Sequence, residues 1–160
     1  VEITFVCTGN ICRSPLAEAI TRRLLDELGR EDITVSSAGT AAYDGSPASE
    51  GAYLVALENG LDLSGHLSTP LTTAVVGEAD LLLGMAAHHV ERAEAMGGAG
   101  KTFLLGQYAG RDSGSDQVED PYGGDLEEYR RTYQQLEALL KDAVARIVKE
   151  HGARAGQGDE

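Results

Sequence analysis

Ten residues near the start of the chain, VCTGNICRSP at 6–15, set two cysteines, an arginine and a serine between an apolar run and a helix start. A turn there would need the glycine and at most the asparagine. It has no need of Cys7, Cys12 and Arg13 together. Ser14 is a favourable N-cap and Pro15 a favourable first helical residue, so a helix is predicted to begin at this point. Its free N–H groups and positive dipole end would face back into the loop. Gly9 and Asn10 are residue types that tolerate left-handed backbone, letting the loop curl until several N–H groups point inward. Thr8, Gly9, Asn10, Ile11, Cys12 and Arg13 are therefore the expected lining of an anion nest about the size of a phosphate group. The planar fork of Arg13 suits two of its oxygens at once.

Cys7 lies at the bottom of that nest. The helix dipole, the inward N–H groups and Arg13 all favour negative charge on its sulfur, and Ser14 can donate a further hydrogen bond to it. A thiolate beneath a bound phosphate ester is placed for in-line attack on phosphorus. Plainer readings compete. A lone cysteine at a strand end is commonly a buried structural thiol. Zinc would require two ligands beyond Cys7 and Cys12, and His66, His88, His89 and His151 stand at no usual metal spacing. A nucleotide P-loop would need a second glycine followed by Lys-Ser/Thr, and a dithiol redox pair more often uses Cys-x-x-Cys. Neither a metal nor a cofactor is expected.

Four short apolar or β-branched segments, VEITFVC (1–7), ITVSSA (33–38), ADLLLGM (79–85) and KTFLLG (101–106), read as strands. Helical stretches separate them. SPLAEAITRRLLDELG (14–29) carries Leu16, Ile20, Leu24 and Leu28 at four-residue spacing and ends in Gly29. SPASEGAYLVALENG (46–60) repeats the Ser-Pro start and glycine stop, AAHHVERAEAMGG (86–98) is a third helix, and a long one runs from about Leu126 to Glu150. The apolar side of that last helix is formed by Leu136, Leu139, Leu140, Val144, Ile147 and Val148. Alternating strands and helices imply one α/β domain, a parallel sheet covered on both faces, with ligands held beyond the carboxyl ends of the strands. Cys7 ends the first strand, so the loop above it falls where a site belongs.

The 160 residues suit a single domain over about 1–150, followed by a polar tail at 151–160 that is expected to fray. Net charge is −13, from 26 acidic against 13 basic residues, which argues against nucleic acid or an anionic membrane as the main partner. One small anion in a locally positive pocket is unaffected by that. The sequence has no 18-residue apolar run, and VEITFVC lacks a basic leader region and cleavage site. Two cysteines are too few for a disulfide scaffold. The expected compartment is the cytoplasm, with leaderless export left open.

The motif Cys-x5-Arg-Ser, written CTGNICRSP here, resembles the low-molecular-weight protein tyrosine phosphatases. SSAGT at 36–40, GLDLSGH at 60–66, ADLLLGM at 79–85 and DPYGG at 120–124 follow in that family's order and spacing. The resemblance implies a central four-stranded parallel sheet and hydrolysis of phosphotyrosine in protein substrates. By position it makes Cys7 the nucleophile that forms a phosphocysteine, Arg13 the transition-state clamp, and Asp120 the general acid, then base. On sequence alone Asp120 reads as a turn residue with Asp116 and Glu119 as neighbours. Asn10, Ser14, Ser37 and His66 match a network that supports the loop. Cys12 matches a second cysteine able to trap oxidised Cys7 as a reversible disulfide. Tyr43 and Tyr122 match aromatic residues flanking the entrance, where a slot between rings favours flat aryl esters. Phosphate, sulfate and vanadate are the expected inhibitors. The substrate protein implied is a phosphotyrosyl protein, such as a bacterial tyrosine kinase or a host protein.

Ile11 bears on substrate choice. Relatives that act on phosphoarginine resemble this loop but carry a smaller threonine there, and a branched aliphatic side chain should crowd a guanidinium group. Arginine phosphatase activity is the alternative, ahead of a thiol-dependent arsenate reductase or a non-catalytic phosphate-binding or redox-sensing module. The reductases relay a disulfide to later cysteines, and none follows Cys12 in this sequence. Two departures stand out. HLSTPLT at 66–72 lacks the arginines many members carry, and Tyr122 is followed by Gly123 rather than a second tyrosine.

Overall fold

The computed structural model of the chain describes residues 1–112 and 116–158, with side chains described to residue 151. Four strands form one sheet: β1 (Glu2–Cys7), β2 (Thr34–Gly39), β3 (Leu81–Gly84) and β4 (Thr102–Leu104), in the order β2-β1-β3-β4, all parallel. Strand β1 is central, paired on both sides, and its side chains alternate between two apolar layers. Ile3, Phe5 and Cys7 join the larger core with α1 (Arg13–Glu27), α2 (Glu50–Glu58) and α6 (Leu126–Gly158). Val6 joins the smaller core on the opposite face, with Val76 of α3 (Thr73–Glu78), Leu82, and Ala93 of α4 (Ala87–Ala93). A short α5 (Leu105–Tyr108) follows β4 directly. The doubly covered parallel sheet expected from the sequence is the architecture found.

Several boundaries differ from the sequence reading, each for a physical reason. Helix α1 begins at Arg13, and Cys12 occupies the capping position without a side-chain bond to the helix N–H groups. Ser14 is therefore not an N-cap; its hydroxyl turns to Cys7 instead. The buried face of α1 is Leu16, Ala17, Ile20, Thr21 and Leu25, whereas Leu28 is 56% exposed. A strict four-residue row drifts by about 40° per step on an α-helix, so its fourth member has left the core face. Helix α2 starts at Glu50, not at Ser46-Pro47, because Ser49 accepts the Ala52 N–H. Helix α4 stops at Ala93 and passes into a wide turn over Glu94–Gly98, where Gly97 takes φ 107°. Helix α3 escaped the sequence reading because six residues give too short a period to detect; Thr72 caps it through the Val75 N–H. Helix α6 is assigned to Gly158 rather than ending at Glu150. The expected fraying of the tail concerns side chains that lie outside the described residues.

Candidate active site

The loop between β1 and α1 is held by a hydrogen-bond network centred on Asn10. Among the described residues Asn10 is the one non-glycine residue with positive φ, at 58°, and its side chain is fully buried. Such a conformation persists only where its surroundings over-determine it. Asn10 Nδ2 donates to Ser14 Oγ at 2.8 Å and Ser37 Oγ at 2.9 Å, and Oδ1 accepts the Thr69 N–H at 2.8 Å. His66 Nε2 donates to the Asn10 carbonyl at 2.7 Å. Ser37 passes its own hydrogen to Glu18, which pairs with Arg22. The Asn10 amide can only donate to Ser14, so the Ser14 hydroxyl hydrogen is free for Cys7 Sγ, 2.9 Å away. Ser14, Ser37 and His66 thus come together around Asn10, and Glu18 and Arg22 extend a network whose outer members the sequence did not mark.

A cavity of about 190 Å³ opens above the loop, lined by Cys7, Thr8, Gly9, Ile11, Cys12, Arg13, Asp120 and Tyr122. Arg13 is 4% exposed and is the one basic side chain among those lining residues. Its Nη1 donates to the Val118 carbonyl at 3.1 Å, while Nη2 lies 3.5 Å from Thr8 Oγ1 and 3.6 Å from Asp120 Oδ2. Arg13 Nε is buried and has no partner among the described residues. A buried guanidinium N–H left unpaired is costly unless something supplies an acceptor, and an oxyanion in this cavity would do so. Asp120 Oδ1 accepts the Tyr122 N–H at 3.0 Å, the Asx turn expected of its position, while its carboxylate still borders the cavity.

Tyr122 lines the cavity and Ile11 forms part of its wall. Tyr43 is 83% exposed and is not among the lining residues. Cys12 and Cys7 are both free, buried thiols. Burial pushes the Cys12 thiol up from its ordinary range, against the opposing pull of hydrogen bonds from Ser49 and Tyr129. Asp116, one competitor for the role of Asp120, is buried and accepts a bond from Gln107. A separate groove of about 720 Å³, bordered by α1, β2 and residues 60–69, shares no lining residue with this cavity.

A family model described as low molecular weight phosphotyrosine protein phosphatase matches residues 2–153. The chain belongs to this family. A protein-arginine-phosphatase of Bacillus subtilis is 35% identical over 152 residues, covering 94% of this chain and 99% of the relative. The tyrosine phosphatase Wzb from Escherichia coli K30, solved with sulfate, superposes with TM-score 0.81 at 37% identity, covering 91% and 97% of the two chains. A mutant of the arginine phosphatase YwlE with a phosphorylated active-site serine superposes with TM-score 0.84 at 36% identity, covering 93% and 96%. This chain is accordingly a phosphatase, a hydrolase of the low-molecular-weight family, and its fold is theirs.

His89 is the lining-network residue that sequence reasoning missed. It is fully buried, and its Nε2 lies 2.9 Å from Thr8 Oγ1. Its only sequence signal was a histidine on a helix beside the end of β3, read there solely as a failed metal ligand.

Proposed function

We propose that this chain hydrolyses phosphotyrosine in protein substrates through a cysteinyl-phosphate intermediate. The observation that carries the reading is one small cavity lined by Cys7, Arg13 and Asp120 together. The phosphoryl group sits in the loop, its oxygens taken by inward backbone N–H groups and the Arg13 fork. Cys7 attacks phosphorus, with the Ser14 hydroxyl stabilising charge on sulfur. Charge spread over the equatorial oxygens in the transition state meets donors already fixed in place by the loop. Asp120 protonates the departing phenolate, then takes a proton from the water that releases phosphate. The nucleophile, clamp and acid all come from the chain, so no metal or cofactor is needed.

Tyr122 and Ile11 give the slot apolar walls suited to a phenyl ring. Tyr43 is assigned a place at the outer rim, meeting the substrate beyond the slot. Cys12, at the same cavity, is assigned the resolving role that turns oxidised Cys7 into a disulfide. No helix among the described residues is long and apolar enough to cross a membrane. A cytoplasmic setting is proposed from the two cysteines, too few for a disulfide scaffold. Phosphate, sulfate and vanadate are proposed as competitive inhibitors.

Relatives named for both tyrosine and arginine dephosphorylation make position 11 the first test. Hydrolysis of phosphotyrosyl and phosphoarginyl peptides is compared for wild type and Ile11→Thr, in reductant and chelator. Wild type is expected to prefer phosphotyrosine, and Ile11→Thr to gain phosphoarginine turnover. A wild-type preference for phosphoarginine would retain the cysteine chemistry and replace the substrate class.

A further inference from the structure

Thr8 borders the cavity, and its hydroxyl is bonded in a way the loop itself does not require. The Ala86 N–H, a pure donor, points at His89 Nδ1 at 3.1 Å, so that nitrogen accepts and the ring hydrogen resides on Nε2. Nε2–H therefore donates to Thr8 Oγ1 at 2.9 Å. Arg13 Nη2 approaches the same oxygen at 3.5 Å, also as a donor. With its acceptor capacity turned to His89 and Arg13, the Thr8 hydroxyl keeps one hydrogen for which no acceptor is placed among the described residues.

The fold makes this placement specific. Helix α4 packs so closely on the end of β3 that a Cβ at Gly84 would come within 3.0 Å of Val90 Cγ2 and 3.2 Å of His89 Cβ. The adjoining Met85 N–H bonds to the Val6 carbonyl, and the Met85 carbonyl accepts the Val118 N–H. Val118 in turn accepts from Arg13. One short segment after β3 therefore orients both Thr8 and Arg13. The ring of His89 is also held neutral: burial, with His88 and Arg13 adding like charge, pushes it down to about 3.

We infer that His89 is a positioning residue for phosphoryl transfer, whose Nε2–H fixes the Thr8 hydroxyl so that its own O–H donates to a non-bridging oxygen of the phosphoryl group. This rests on the phosphatase reading of the cavity and adds a side-chain donor to the backbone donors of the loop. A fixed donor aimed at an equatorial oxygen of the flattened, metaphosphate-like phosphoryl group acts mainly on the transition state. The effect should therefore fall on kcat more than on KM.

The test measures kcat and KM for p-nitrophenyl phosphate, with vanadate and phosphate affinities, in the full chain carrying Thr8→Val, Thr8→Ser, His89→Leu, His89→Gln and Thr8→Val with His89→Leu. Thr8→Val should lower kcat about 100-fold, the loss typical of one such donor, and weaken vanadate, the transition-state mimic, more than phosphate. Thr8→Ser should recover most of that rate. A Gln amide can accept from Ala86 and donate to Thr8 as the imidazole does, so His89→Gln should recover most of what His89→Leu loses. In the Thr8→Val background, His89→Leu should cost little more. An undiminished loss there, or Thr8→Val with wild-type kcat and vanadate affinity, would overturn the inference. If His89→Leu fails to fold, Thr8→Val against Thr8→Ser decides alone. If wild type turns over no aryl phosphate, the phosphatase reading fails by itself, and vanadate affinity in Thr8→Val against Thr8→Ser still decides whether Thr8 donates to a bound oxyanion.

Discussion

Asp120 carries two loads, and they can be separated. Its Oδ1 closes a turn on the Tyr122 N–H, while Oδ2 stands 3.6 Å from Arg13 at the cavity. Asp120→Asn keeps an oxygen for the turn and removes the proton that a leaving phenolate needs. The expected loss in kcat is about 10²- to 10⁴-fold for phenols of high pKa and much smaller for nitrophenols, which leave unaided. A leaving-group series for wild type and Asp120→Asn measures this as a steeper dependence in the variant. An equal loss across the series would return Asp120 to its structural role. Other residues divide between what types and spacing can and cannot reveal. Cys7, Arg13 and Ser14 were legible because six consecutive residues must form their own nest. The roles of Ser37 and His66 came only through family resemblance, since each meets Asn10 from a distant segment.

At the scale of elements, α2 and α6 meet through a position with no side chain. A Cβ on Gly51 would overlap the ring of Tyr129, whose hydroxyl lies 3.4 Å from Cys12 Sγ and 3.1 Å from Ser49 Oγ. Burial and the Cys12 bond push that phenol up to about 12, so it stays protonated beside the thiol. Gly51→Ala must move the ring or part the helices, at a cost of about 1–3 kcal/mol for overpacking. Urea unfolding should show that loss. In a Cys7→Ser background, iodoacetamide should label Cys12 faster in Gly51→Ala than with Gly51 retained; equal rates would mean that α2 and α6 absorb the methyl without disturbing Cys12. The sequence placed all four strands: β3 is a continuous apolar run, as a strand buried on both faces should be, and β1, β2 and β4 each mix β-branched with apolar residues. It misplaced helix starts because Ser46-Pro47 and Ser14-Pro15 both look like helix openings. Packing decides both: Ser49 reaches the Ala52 N–H to cap α2, and α1 opens after Cys12 with no side-chain cap.

Over the whole molecule, the least legible residue of the site is the one that links its chemistry to folding. His89 gave little signal because its meaning depends on Thr8, 81 residues away in the chain, joined to local contacts with Ala86 and the bare backbone of Gly84. Burial, with like charge from His88 and Arg13, keeps it neutral down to about 3, against an ordinary value of 6.5. An unfolded chain takes up a proton below 6.5 that the native state refuses, so the unfolded state gains protons and stability falls as pH drops from about 6.5 toward about 3. Between pH 7 and pH 5 this one group should withdraw about 2 kcal/mol. Acidification also reduces the net charge of −13 and its self-repulsion, but that change is shared by any variant of one neutral site. His89→Gln preserves the two hydrogen bonds and removes the titration. Its urea midpoint should therefore fall less than that of wild type between pH 7 and pH 5. Parallel falls would mean that His89 is protonated in the folded protein, which would leave Nδ1 unable to accept from Ala86.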